Sequence, residues 1–166
     1  YRNLYLTREG ADYIHIGAIG VVYPFRVDTT SERARNTLAE YMARCRSNMN
    51  YAPGSTSPYK AHNWIWNTSA LASCLNLFGE GDESYRALKD AIKSAGPFLS
   101  ANEVMVGDKI HHPWFTTAAG AFVHALNTMF IQSDEKVTHI LPAILSAWSD
   151  FSFASLLSTG SGEASC

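Results

Sequence analysis

Apolar positions along the chain fall into two kinds of segment, and the two kinds alternate. Residues 13 to 25, YIHIGAIGVVYPF, are apolar on every side and carry two glycines before Pro24. This pattern predicts a short buried helix, with a strand as the alternative, ended by the proline. Residues 30 to 48 instead place Ala34, Leu38, Tyr41, Met42 and Cys45 on one face of an amphipathic helix, and Thr29 with Glu32 reads as a capping box. Pro53, Gly54 and Pro58 make residues 50 to 61 a loop. A helix over 62 to 78 is apolar nearly all round and closed by Gly79. Asp82 is placed to cap a one-striped helix over 83 to 95, which Gly96 and Pro97 stop. A loop from 97 to 112 then leads into a further helix over 113 to 132. Beyond Ser133, VTHILPAI and FSFASLLSTG are rich in β-branched and aromatic residues and are expected to be strands.

A helix that is hydrophobic on every face must be covered on every face, whereas a one-striped helix keeps a wet side. The segments 13 to 25, 62 to 78 and 113 to 132 therefore form an inner layer, and 30 to 48 and 83 to 95 an outer one. The expected fold is mainly α: a partial α/α toroid of about five helices with a short C-terminal β segment. Residues 1 to 133 make the toroid portion, and 134 to 166 a β-rich segment packed on it. Ala118, Ala119, Gly120 and Ala121 suit an inner ring, where backbones crowd toward an axis.

In such a ring a ligand sits at the mouth where the loops entering the inner helices converge. Those loops, SPYKAHNW and VGDKIHHPW, both bring histidine and tryptophan. Flat aromatic rings stack on the apolar faces of sugars, and His, Asp and Asn side chains bond to hydroxyls. His62, Asn63, Trp64, Trp66, Asp108, His111, His112 and Trp114 together suit a carbohydrate. Against each stands a structural role, tryptophan as core and histidine as helix-end hydrogen bonder. The acidic residues near the mouth are Asp12, Glu103 and Asp108, and Asp108 is the candidate base or sugar-binding carboxylate. His111 and His112 lack the spacing of a metal site even with His15 or His62, so no metal and no cofactor is expected.

Composition narrows the classes. The 166 residues are 46% hydrophobic and only 17% charged, which allows one sizeable core, and a net charge of −2 gives no footprint for nucleic acid. No apolar run approaches the roughly 18 residues that span a bilayer, so neither nucleic acid nor membrane is an expected partner. Cys45, Cys74 and Cys166 show no paired spacing and are expected to be free thiols. The chain opens on Tyr1 without a signal-peptide pattern, the expectation is a piece of a longer protein, and localisation is not readable.

Several words resemble the C-terminal part of the six-hairpin α/α-barrel glycoside hydrolases, in particular the bacterial and plant α-L-fucosidase family and its relatives. HIGAIGVVYP, His15 to Pro24, is similar to that family's His-Leu-Ser-His-Leu-Tyr-Gly-Leu-Tyr-Pro; HNWIWNTSALASCLNLFGEG, with His62 and Trp66, is similar to its His-Thr-Gly-Trp-Ser-Arg segment and the inner helix after it. WFTTAAGAFVHALNTMFIQS followed by HILPAILSAW resembles its last inner helix, entered through Phe-Gln-Ile-Asp-Gly-Asn-Phe-Gly and followed by Leu-Leu-Pro-Ala. The resemblance implies a portion of a carbohydrate-active enzyme, with His15, His62, Trp64, Trp66, His111, His112, Trp114 and Thr117 as substrate contacts. The departures are specific. Thr117 stands where the family has its general base, a hydroxyl that cannot take a proton near neutral pH unaided, and Asn67 or Thr68 stands where it has an arginine. The family's acid lies upstream, so this chain alone is not catalytically complete.

The alternative is a non-catalytic helical module for carbohydrate binding or protein association. Under either reading five helices are less than half of a closed barrel, and the inner helices lack the neighbours a ring would supply. The cover would come from the upstream part of the barrel or from a second copy. Light scattering on this chain is expected to show a dimer, and a monodisperse monomer would contradict that expectation.

Overall fold

The computed structural model describes residues 3–11, 14–46, 64–106, 109–134, 136–157 and 163–164. Its helices are α1 (Ile16–Ile19), α2 (Glu32–Arg46), α3 (Ile65–Leu77), α4 (Gly81–Ile92) and α5 (Thr116–Phe130). Three antiparallel two-stranded hairpins accompany them: β1 (Val104–Val106) with β2 (Lys109–His111), β3 (Ile131–Ser133) with β4 (Thr138–Ile140), and β5 (Leu156–Leu157) with β6 (Glu163–Ala164). The protein is mainly α, and no helix among the described residues is long and apolar enough to cross a membrane.

The centre of the fold is α3. From Leu71 to Asn76 every side chain is buried, as are Ile65, Asn67, Thr68 and Ser69. The sequence reads this helix as apolar nearly all round, but much of its buried surface is small and polar, which lets neighbouring backbones come close. That closeness comes with two buried hydroxyls, Thr68 Oγ1 and Ser69 Oγ, that have no hydrogen-bond partner. Helix α4 runs antiparallel beside α3: Ser84 Oγ donates to the Ala72 carbonyl at 3.2 Å, and Ala91 packs with Ile65. Helix α5 runs parallel to α3, since Ile65 packs with Ala118 while Asn76 Nδ2 donates to the Ala125 carbonyl at 2.7 Å and to Thr128 Oγ1 at 2.8 Å. Gln132 Nε2 closes this end by donating to the carbonyls of Asn76 and Thr128 at 2.8 and 3.0 Å. Cys74 Sγ reaches the Ile19 carbonyl of α1 at 3.7 Å, and Leu38 of α2 shares the core with Leu75.

The ends of the elements differ from expectation in instructive ways. Ser31 caps α2, accepting from the Ala34 N–H at 3.1 Å, and Asp28 supports it by accepting from the Ser31 N–H and hydroxyl. Thr29 is therefore not the cap, because the Asp28 carboxylate selects Ser31 from three consecutive hydroxyl residues. The α2 face of Ala34, Leu38, Tyr41 and Cys45 is buried as its spacing predicts. Helix α3 ends in a Schellman arrangement, with Gly79 at φ 75°, Gly79 N–H on the Asn76 carbonyl and Glu80 N–H on the Leu75 carbonyl. Among the described residues of 13 to 25 only Ile16–Ile19 is α-helical, and hydrogen-bonded turns carry the chain to Phe25 through a cis Tyr23–Pro24 bond. Cys45 and Cys74 are free and buried, and burial pushes the Cys45 thiol up to about 12. Cys166 lies outside the described residues.

Asp82 does not cap α4, which starts at Gly81. Its carboxylate accepts from Ser146 N–H and Oγ, both at 2.8 Å, and so fastens the segment after β4 across the start of the helix. The same segment lays the carbonyls of Ala143 and Ile144 on Gly81, where an added Cβ would lie 2.4 Å from each oxygen. Trp148 then stacks on Phe130 at 5.9 Å, with Phe151 and Phe153 around the same ring and Tyr85 edge-on to Trp148. This segment was expected to be strands, but only Thr138–Ile140 of 137 to 144 and Leu156–Leu157 of 151 to 160 are strand among the described residues. The partner of β4 is Ile131–Ser133, whose first two residues belong to the expected helix.

Gly81→Ala is expected to cost about 1–3 kcal/mol, as overpacking against backbone does, with a lower urea midpoint at unchanged slope. Bonds from Ser146 hold the Asp82 carboxyl below its usual range. A depressed folded-state value means that the stabilisation is present above the unfolded carboxyl value and is lost as pH falls through the folded one. The stability difference between wild type and Asp82→Asn should therefore shrink on acidification below about pH 4, and a pH-independent difference would rule out the charge as its source.

Candidate functional site

Helices α3 and α5 are parallel, so their N-termini lie at the same end, and the residues leading into them define the candidate mouth. The segment before α5 is held by a short ladder. Phe115 N–H donates to the Ala101 carbonyl at 2.8 Å, and Glu103 N–H to the His112 carbonyl at 3.1 Å, which extends the β1–β2 pairing. This hairpin lies inside what reads from sequence as loop. Across its stem His112 Nδ1 and Glu103 Oε2 are 3.0 Å apart, an ion pair when the imidazole is protonated.

Trp114 is 65% exposed, a large apolar ring standing in water at the start of α5. Both His112 and Trp114 have positive φ, 51° and 65°, on either side of Pro113, a conformation costly for bulky residues and found where surroundings enforce it. Trp66 behaves differently. It is half-buried, lies 6.2 Å from the Phe115 ring and packs against Ile65, Ala91 and Ala118, so it is wall more than platform. Trp64, half-buried, is the N-cap residue of α3 without a capping side-chain bond. Thr117 is exposed on the first turn of α5.

Of the other expected residues, His15 is described and serves on another element. His15 caps α1, its Nδ1 accepting from the Gly17 N–H at 3.5 Å, and burial lowers its pKa. Asp108, His62, Asn63 and Asp12 lie outside the described residues, as does the side chain of His111, whose backbone pairs with Val104 in the hairpin. Among the described residues no three His, Cys, Asp or Glu side chains are grouped to hold a metal ion.

Helix α5 is not buried on every side as expected of an inner helix. It buries Ala118, Ala125 and Met129 and leaves Thr116, Thr117, Ala119, Gly120, Val123 and His124 exposed. Thr117, Gly120 and His124 fall on one face by helical spacing, with no atom within 4 Å of where a Gly120 side chain would begin. At the far end of that face the His124 ring stacks on Tyr23 at 5.1 Å, and Arg26 is close enough to lower the His124 pKa further, after burial. Neither residue was singled out in the sequence. His124 could have been found from its spacing to Thr117, but Tyr23 needs the contact between the turn after α1 and α5.

An apolar groove of about 230 Å³ lies to one side of the mouth between α4 and α5, lined by Ile65, Ile92, Leu99, Ala119, Phe122 and Val123 among others. A larger hollow of about 600 Å³ lies against Asn3–Gly10 and Arg33 and shares no residue with the mouth.

No family model, curated protein or solved structure matches the chain.

Because Trp114 is mostly in water, Trp114→Ala should change stability by less than about 0.5 kcal/mol, while Trp66→Ala, which empties part of the wall, should cost on the order of 2 kcal/mol. Paired urea denaturation curves check the contrast, and equal losses would place Trp114 in the core.

Proposed function

We propose that this chain is a wall portion of a carbohydrate-active α/α-barrel protein of the glycoside hydrolase type, with sugar contacts at the end where α3 and α5 begin. The observation that carries the reading is the exposed indole of Trp114 at the head of a helix whose neighbouring face is small and open. A sugar ring stacked on that indole can run along Thr117 and Gly120, with Glu103 and His112 beside it as hydrogen-bond partners. The packing of α3 against α1, α2, α4 and α5, with α2 and α4 each keeping an exposed side, supports the toroid reading.

Asp108 stays the proposed base in this reading. Glycoside hydrolysis usually needs two carboxyl groups across the scissile bond. The described carboxylate at the mouth is Glu103, and Thr117 brings no carboxylate to α5. The chain therefore supplies subsites and completes its chemistry with another part of the barrel. A non-catalytic module is the second reading, favoured by Thr117 and by the apolar groove between α4 and α5. A homodimer covering the exposed inner helices is expected of this chain alone under either reading.

Ligand-observed NMR with a panel of neutral mono- and oligosaccharides tests the proposal on wild type and Trp114→Ala together. Saturation transfer to a sugar in wild type and its loss in the variant is the expected result. A folded wild type that transfers to no sugar, or an unaffected variant, would overturn it.

A further inference from the structure

Large apolar side chains standing singly in water are ordinary, but three of them here share one groove and a fourth stands at its edge. Ile92 of α4 and Val123 of α5 line the groove between these helices and are about half exposed; Leu99 lines it too and is 78% exposed. Phe98, next to Leu99, is 93% exposed, so its ring fills no space in its own chain. The turn Pro97–Leu99 is built to display this pair. Phe98 and Leu99 have φ of 56° and 58°, a region that bulky residues enter only where surroundings enforce it. Gly96 N–H donates to the Ser100 carbonyl at 2.8 Å and Ser100 N–H to the Pro97 carbonyl at 3.1 Å, closing the turn. Beneath it the buried Asn102 donates from Nδ2 to the Ser94 carbonyl at 3.1 Å, which ties the turn to the end of α4.

We propose that this surface joins two copies of the chain, each placing its Phe98 ring in the groove between α4 and α5 of the other. The inference goes beyond the sugar reading and stands without it. A two-fold axis makes an interface self-complementary, so one surface has to carry both the protruding part and the hollow that receives it. Here the two are neighbours: an exposed ring, and a hollow of about 230 Å³ lined among the described residues by aliphatic and aromatic side chains alone. That volume lies below the roughly 300–1,000 Å³ of small-molecule sites and suits one anchoring aromatic side chain. A foreign partner would have to bring both a group for the groove and a hollow for Phe98, whereas a second copy has both. Charge also permits the pairing, since a two-fold axis brings like groups together and penalises a surface with unbalanced charge. Helix α5 carries no Asp, Glu, Lys or Arg from Thr116 to Phe130. On α4, Lys93 is paired with Asp90 at 2.6 Å, and Lys89 lies over the Tyr85 ring, 5.0 Å from its centroid.

Sedimentation velocity over a concentration series tests the proposal on wild type, Phe98→Asp, Val123→Asp and Phe25→Asp. Phe25 is the control, an aromatic residue 74% exposed that does not line the groove. Wild type is expected to sediment as a dimer whose dissociation constant rises about tenfold or more in Phe98→Asp and in Val123→Asp. Phe25→Asp should change it by less than about twofold. In a mixed dimer of labelled and unlabelled copies, isotope-filtered NMR should show the Phe98 ring of one copy against the Val123 methyls of the other. A wild type that stays monomeric throughout overturns the proposal. So does a dimer that either groove-side variant leaves intact, or whose filtered spectrum lacks that contact, since the copies would then join through another surface. Dissociation by Phe25→Asp to the same degree as by Phe98→Asp overturns it too, because association would then follow exposed apolar area in general. Phe98 and Val123 are exposed, so the variants are expected to keep the fold, and the amide spectrum of each checks it.

Discussion

A helix whose side chains are buried on every face has to be surrounded, and α3 is enclosed by α1, α2, α4 and α5. Its small buried residues set how near each neighbour comes, and its polar ones set where each stops. Asn76 is decisive in this respect. One side-chain amide reaches the Ala125 carbonyl and the Thr128 hydroxyl while the backbone carbonyl of the same residue receives Gln132. Buried groups like these are expensive when unpaired, so the register between α3 and α5 is specified, not just favoured. That register makes the two helices parallel and brings Trp64, Trp66, Trp114 and Thr117 to one end.

A second fastening follows from the first. The chain leaving α5 turns through β3 and β4 and crosses the start of α4, where Gly81 admits its carbonyls and Asp82 holds Ser146. The aromatic side chains of Tyr85, Phe130, Trp148, Phe151 and Phe153 then cover the joint. Among the described residues the opposite flank of α5 has no such cover and keeps the exposed strip from Thr117 to His124. An open face and a fastened face on one helix thus arise from which side the returning chain takes.

Periodicity made legible what depends on neighbours in sequence: the stripe of α2, the closure of α3 by Gly79, and the existence of the five α-helices found among the described residues. Long-range choices were not legible. Asp82 looks like a cap because its partner, Ser146, is 64 residues away. The strand character of 137 to 144 was half right because pairing, not propensity, selects Thr138–Ile140, and the selecting strand begins where α5 stops. At the site, Trp114 and His112 were legible as aromatic and polar residues before a helix, whereas the approach of Trp66 to Phe115 was not, because nothing local in the sequence shows that contact. Asp108 and His62 lie outside the described residues.

The proposed sugar contact is the exposed indole of Trp114 at the head of α5, and a crystal structure of the chain soaked with an oligosaccharide tests it most directly. The account predicts a sugar ring stacked on Trp114 with the next unit along Thr117 and Gly120. A sugar bound elsewhere, with the Trp114 indole free to solvent, would contradict it.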